Sequence, residues 1–178
     1  MAETAMLLML ECSRNVIELR KIWVQDYYKA KLKTRKTTVN GKTVGIIGCG
    51  NIGSRLAVRA LGMEMNVLAY DPYKKADEFP EGVEVVRDLD RIFKESDYVS
   101  LHVPNTPITR GMVNKERLEM MKPTAFLINT ARGGCVVEQD LYEACKNKTI
   151  AGAGLDAIQK EPVDPANPLL TLDNVIIY

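Results

Sequence analysis

The chain has 178 residues, 46% hydrophobic and 26% charged, with a net charge of +1. That length and composition suit one globular domain, able to bury about 70% of its unfolded surface without disulfide or metal staples. The balanced charge excludes a global electrostatic pull toward nucleic acid or an anionic membrane.

The first periodic segment is Thr4–Leu19. Met6, Met9, Leu10, Ser13 and Ile17 recur at helical spacing, with Glu11, Arg14 and Glu18 between them, which predicts one amphipathic helix. Its apolar run Ala5–Leu10 is too short to span a bilayer, and it follows Glu3 rather than a basic segment. Neither a transmembrane helix nor a signal peptide is therefore expected. Trp23 and Tyr27-Tyr28 follow, then the basic stretch Lys29–Lys36, which reads as a solvated connector rather than an anion-binding patch. Residues 1–38 are thus a helix and connector. The turn signal Asn40-Gly41 opens the main unit, residues 39–178.

From there apolar runs alternate with helical patterns. Strands are predicted at Thr43–Gly48, Val67–Tyr70, Val83–Val86, Tyr98–Val103 (stopped by Pro104), Ala125–Asn129, Ile150–Leu155 and Val175–Tyr178. Helices are predicted at Ile52–Leu61, Leu89–Glu95, Lys115–Met121 with Asn114 as N-cap, and Glu138–Lys146. Strands apolar throughout are buried on both faces. Separated by helices, they predict an α/β fold: a Rossmann-type, doubly wound parallel sheet with helices on both faces.

The segment Gly48-Cys49-Gly50-Asn51-Ile52-Gly53 is a GxGxxG sequence. Alone it is weak, but here it follows a strand and opens a helix. Gly48 permits the tight turn, Gly50 lets a pyrophosphate approach the backbone, and Gly53 lets helix and strand pack closely. The helix N-terminus then faces the phosphates. Asp71, at the end of the second strand, is placed to accept bonds from both ribose hydroxyls and to repel a 2′-phosphate. NAD is therefore preferred to NADP, although Lys74 and Lys75 soften that preference. A methyltransferase also pairs a glycine loop with a strand-end acid, but the spacing through Gly53 argues against it.

The four cysteines, Cys12, Cys49, Cys135 and Cys145, form no CxxC or CxxH pattern, so neither a zinc site nor a disulfide framework is expected. Reduced thiols fit a cytoplasmic protein. Cys135 lacks a histidine to activate it and begins an apolar run, so it reads as buried.

By the stretch "INTARGG" the chain resembles the NAD-binding domain of the D-2-hydroxyacid dehydrogenases, the family of phosphoglycerate, glycerate, D-lactate and formate dehydrogenases. The resemblance is carried also by "GIIGCGNIG", "SLHVPNTPITRGMVN", "AGAGLDAIQKEP", "NVIIY" and the opening "AETAMLLMLECSRN". It implies that Arg132 binds the carboxylate and carbonyl of a 2-oxo acid, a task suited to a guanidinium fork. It implies that Glu161 orients a catalytic histidine and raises its pKa. Asp156, Thr130 and Ala131 resemble contacts to the nicotinamide half, and Val103 and Pro104 close the strand beside the cofactor. Asn51 and Ile52 resemble the residues whose backbone meets the pyrophosphate, although the family often has arginine at the Asn51 position. His102, the one histidine in the sequence, resembles a residue lining the cofactor cleft rather than the proton donor.

The resemblance further implies two parts not seen in this sequence: an N-terminal substrate lobe, and a Thr-Pro-His motif that would follow "NVIIY" and supply the acid. The expectation is a domain that binds NAD and turns over little substrate by itself. A non-catalytic, NAD-responsive corepressor-like module is the alternative. Homodimerisation is also implied, with Met6, Met9 and Leu10, or their neighbours, expected to contribute.

Overall fold

The computed structural model describes residues 1–25 and 37–178. The Tyr27-Tyr28 pair and the basic connector Lys29–Lys36 lie outside them. Element labels run over the described residues alone.

Seven strands form one sheet: β1 (Thr43–Ile47), β2 (Asn66–Tyr70), β3 (Glu84–Val85), β4 (Tyr98–Leu101), β5 (Phe126–Asn129), β6 (Gly152–Leu155) and β7 (Val175–Ile177). Their order is β3-β2-β1-β4-β5-β6-β7, and every pairing is parallel. The predicted doubly wound sheet is therefore present. β4 and β6 are buried at every position, as expected of strands covered on both faces.

Two apolar layers flank the sheet. On one face lie α1 (Ala2–Arg14) and α3 (Asn51–Gly62), whose Leu8, Met9, Leu56 and Ala60 pack with Ile46 and Ile128. On the other lie α4 (Leu89–Glu95), α5 (Lys115–Met120) and α6 (Glu138–Lys146), with Phe93, Leu118 and Leu141 packed on Leu101 and Leu127. Asn114 caps α5 as expected, its Oδ1 accepting the Arg117 N–H at 3.2 Å.

The N-terminal segment departs from expectation. One helix was expected over Thr4–Leu19, but the chain forms α1 and then α2 (Val16–Gln25), broken at Asn15. Asn15 takes a left-handed conformation (φ 51°, ψ 50°), and its N–H returns to Cys12 and Glu11 carbonyls. Asparagine tolerates that conformation, and apolar periodicity does not register it.

α1 is also not an appendage. Gly154 of β6 has no side chain, and a Cβ there would stand 2.9 Å from Leu8 Cβ. That gap seats α1 against the sheet. Met6 and Met9 are consequently buried within the chain itself, at 8% and 0% exposure, so of the residues expected at a dimer surface these two face inward, whereas their neighbour Leu7 is exposed. Among the described side chains of this segment, Met1, Leu7, Val16, Trp23 and Val24 are exposed.

Candidate cofactor site

The sheet register gathers the expected residues into one row. Ile47 pairs with Tyr70 and Leu101, Leu101 with Asn129, Asn129 with Leu155, and Leu155 with Ile177. One residue further along each strand come Asp71, Gly48, His102, Thr130, Asp156 and Tyr178. Backbone hydrogen bonds carry the register across this edge. Gly48 N–H donates to Tyr70 O, His102 N–H to Ile47 O, Asp156 N–H to Asn129 O and Tyr178 N–H to Leu155 O, all at 2.8–2.9 Å. The period of two places this row on the face that carries α1 and α3, because Ile46, Ala69 and Ile128, two residues earlier, pack there. The row crosses the sheet at the carboxyl ends of the strands, where order reverses between β1 and β4. In open α/β sheets that is where ligands bind.

The glycine loop forms the centre. Gly48 has φ +90°, and a Cβ there would meet His102 O at 2.6 Å and Val103 Cγ1 at 2.8 Å. Glycine is needed both for the turn and for the approach of β4. At Gly53 a Cβ would fall 2.1 Å from Gly48 O. At Gly50 it would meet nothing within 4 Å, so the backbone there borders open space. No side chain caps α3, and Asn51 and Ile52 are exposed. Its first-turn N–H groups, without intrahelical partners, therefore face outward with the positive end of the helix dipole. This cradle fits a dinucleotide pyrophosphate.

Asp71 is held in place by two backbone donors. Its Oδ2 accepts the Cys49 N–H and its Oδ1 the Tyr73 N–H, both at 3.0 Å. Each oxygen keeps acceptor capacity for a ribose hydroxyl. The acid thus also ties the end of β2 to the glycine loop.

His102 is half-buried, its Nε2 lies 2.9 Å from Ser100 Oγ, and Nδ1 is buried without a hydrogen-bond partner. Burial lowers its pKa to about 4, so it is neutral at physiological pH. Thr130, beside it in register, is 3% exposed, and its Oγ1 is likewise buried and unpartnered. Buried polar atoms normally find partners. Two orphans side by side in the row fit a site that a polar ligand completes. Asp156 is half-buried in the same row.

The Arg132 loop is built by groups the sequence reading passed over. Asn129 is 1% exposed; its Nδ2 donates to Arg132 O (3.1 Å) and Ala157 O (3.3 Å), and its Oδ1 accepts the Ala131 N–H (3.1 Å). Gly133 has an ordinary φ, and what it supplies is space: a Cβ there would sit 1.9 Å from Ile158 C and O. Glu138, at the start of α6, accepts the Gln159 N–H at 2.9 Å and an Asn167 Nδ2–H at 2.6 Å. The loop carrying Arg132 is thus locked against the loop leading to Glu161. Arg132 and Glu161 are both exposed, and Arg132 Nη1 donates to Ala131 O at 2.7 Å. Asn129 lies inside the quoted "INTARGG" stretch, but only its burial identifies it as the fastener.

Cys135 is buried, as expected. The described residues also line a cavity of about 620 Å³ at the opposite edge of the sheet, against Asp97, Tyr98, Thr124 and Asn174. None of the row's residues borders it. The cradle is an open crevice rather than an enclosed hole.

Comparison with known proteins agrees with this geometry. A family model, "D-isomer specific 2-hydroxyacid dehydrogenase, NAD binding domain", matches residues 6–178. The chain belongs to the D-isomer specific 2-hydroxyacid dehydrogenase family. It is 44% identical over 177 residues to a hydroxypyruvate reductase from Thermotoga maritima, covering 98% of this chain and 56% of that protein. A D-3-phosphoglycerate dehydrogenase from Methanocaldococcus jannaschii is 42% identical over 177 residues, covering 98% and 33%. The crystal structure of a D-isomer specific 2-hydroxyacid dehydrogenase from Lactobacillus delbrueckii ssp. bulgaricus, in its NAD-complexed form, superposes with a TM-score of 0.88 at 31% identity, covering 99% and 57%. The chain therefore spans between a third and a little over half the length of these relatives. The match is to the family's NAD-binding domain, and NAD is the cofactor. Among the described residues no helix is long and apolar enough to cross a membrane.

Proposed function

We propose that this chain supplies the dinucleotide-binding and substrate-anchoring half of a dehydrogenase acting on a 2-oxo/2-hydroxy acid pair. The observation that carries this is the single row Asp71, Gly48, His102, Thr130 and Asp156 above an uncapped helix N-terminus. When bound, NAD supplies the hydride at C4 of its nicotinamide. Gly48, Gly50, Asn51, Ile52 and Gly53 hold the pyrophosphate, and Asp71 the adenosine ribose. Thr130, Ala131 and Asp156 orient the nicotinamide half, with His102, Val103 and Pro104 walling the crevice. Arg132 grips the substrate carboxylate and polarises its carbonyl.

Glu161 orients an imidazole that donates the proton. That imidazole is not His102, whose Nε2 is committed to Ser100 and whose burial keeps it neutral. Proton transfer is thus not assigned to His102, the one histidine in the sequence. General acid catalysis is worth about 10²–10⁴-fold, so the isolated chain is expected to bind NADH but turn over 2-oxo acids poorly. Titrating NADH fluorescence, then following NADH absorbance with hydroxypyruvate, pyruvate and phosphohydroxypyruvate, tests both parts. Robust turnover would overturn the assignment of the acid, and failure to bind NADH would overturn the roles of the row.

A homodimer in the cytoplasm is the remaining part of the reading. The apolar side chains exposed at Leu7, Trp23 and Val24 and the four buried free cysteines support it. A monomeric mass at high micromolar concentration, with and without NADH, would count against the dimer. A mass that shifts with NADH would instead favour the NAD-responsive module.

A further inference from the structure

The cavity of about 620 Å³ lies at the end of the sheet away from the row. Lys42, Asp97, Thr124, Ala151 and Asn174 line it, each just before β1, β4, β5, β6 or β7. The length of the strands, about 10–17 Å, therefore separates it from the cofactor crevice. Its size is that of a small-molecule site. Tyr98 of β4 and Phe126 of β5 are neighbours in the sheet and form an aromatic floor, their ring centres 5.8 Å apart and their planes at 15°. That floor carries no charge at physiological pH. Burial pushes the Tyr98 hydroxyl and the Cys145 thiol up to about 12, and the Cys12 thiol upward as well.

The charged groups around the floor are unevenly paired. Asp97 accepts the Thr43 N–H at 2.9 Å and pairs with Lys122 at 3.3 Å, and Asp173 pairs with Lys21. Glu11 and Glu18, from α1 and α2, form no ion pair among the described residues, and Glu18 accepts an Asn15 amide hydrogen. Lys146 and Lys148 lead into β6, beside Phe126, and both are exposed on the rim. Lys146 lies 5.2 Å from the Tyr142 ring centre, and neither lysine pairs with a carboxylate among the described residues. Lys42, unpaired in the same sense, stands on the β1 side of Tyr98. An uncharged aromatic floor is thus bordered on its β6 side by two adjacent free cations.

We propose that this cavity is a second ligand site, for a small amphipathic organic anion whose apolar body covers Tyr98 and Phe126 and whose anionic group meets Lys146 and Lys148. Apolar surface supplies the affinity and a few placed polar groups fix the orientation. Glu11 and Glu18 on the helical wall repel an anion that enters the other way round. The inference stands independently of the roles given to the row, since the two sites share no residue.

Anilinonaphthalene sulfonate, an aromatic body with one fixed negative charge, is the probe, titrated by its fluorescence in the presence of excess NAD. The dye is expected to bind with NAD present and to bind less tightly as salt is added. Replacing both lysines, Lys146→Gln with Lys148→Gln, is expected to weaken it by about threefold or more. Lys146→Arg with Lys148→Arg keeps both charges and should bind as wild type does, which separates charge from any change in folding. Lys94→Gln, on the exposed side of α4, should change nothing. Thr124→Trp sets a bulky side chain on the rim and should reduce binding with both lysines intact, which separates the cavity from surface lysines alone. Four results would overturn the proposal: displacement of the dye by NAD, a lysine-to-glutamine double variant within twofold of wild type, tighter binding of the cationic dye thioflavin T, or dye release as the chain concentration rises. The last would mean that a second copy of the chain covers the cavity.

Discussion

Replacing Gly53 with alanine should separate the packing role of the third loop glycine from helix propensity. The new Cβ would lie 2.1 Å from Gly48 O, against a practical floor of 3.0 Å, and the obstacle is backbone. Helix α3 and the glycine loop must therefore part by about 0.9 Å, a shift of the size that overpacking forces. The hydrogen bond from Cys49 N–H to Asp71 Oδ2, now 3.0 Å, lies on the moving loop and would be stretched or lost. Overpacking costs about 1–3 kcal/mol and losing a charge-assisted bond about 1.5–3 kcal/mol, so a total of about 2.5–6 kcal/mol is expected. NADH affinity should fall about 100-fold or more, because the N–H donors and the Asp71 carboxylate are displaced together. Urea unfolding and NADH titration measure the two effects. Gly62→Ala is the control: it sits at the last residue of the same helix with nothing within 4 Å of the new Cβ. It should stabilise by about 0.4–1 kcal/mol and leave NADH binding intact. A Gly53→Ala protein with a wild-type urea midpoint and NADH affinity within threefold of wild type would refute the packing argument.

Two further outcomes are expected. His102 has a folded pKa of about 4, below its ordinary value, so the unfolded chain binds its proton more readily. The stability present above pH ~6.5 is therefore lost as pH falls from there toward about 4, by at most about 3 kcal/mol. Urea midpoints measured from pH 7 to pH 4 should fall less steeply in His102→Asn, and parallel curves would exclude His102 as the source. Asn129→Ala leaves the Ala131 N–H and the Arg132 and Ala157 carbonyls without their side-chain partner, which should destabilise by about 2–4 kcal/mol. It should also quicken amide exchange at residues 131–134 beyond the change in global stability, and uniform quickening would refute its role as a local fastener.

The fold was legible in the sequence to a large extent because its signals are local. Unbroken apolar strands such as Tyr98–Leu101 declare burial on two faces, and strand-glycine-helix order declares the cradle. Strand limits shifted by a residue or two where pairing, not composition, ends a strand: Tyr98–Val103 was expected, and β4 stops at Leu101 as the neighbouring β1 turns away at Gly48. The break at Asn15 and the inward turn of Met6 and Met9 were not legible. The first is a backbone choice at one residue, and the second follows from the missing side chain of Gly154 on a strand about 150 residues away.

For the site the division is similar. Sequence alone determined which residue types are present and in what order: three glycines, the strand-end acid Asp71, the arginine between Ala131 and Gly133, and one histidine. Tertiary structure decided what they do together. Parallel register brought Asp71, Gly48, His102, Thr130 and Asp156 from five separate strand ends into one row. It also made fasteners of Asn129 and Glu138, whose partners lie 2 to 29 residues away along the chain. A motif fixes spacing along the backbone, whereas hydrogen bonds and close contacts depend on separation in space, which only the assembled sheet and its helix layers establish.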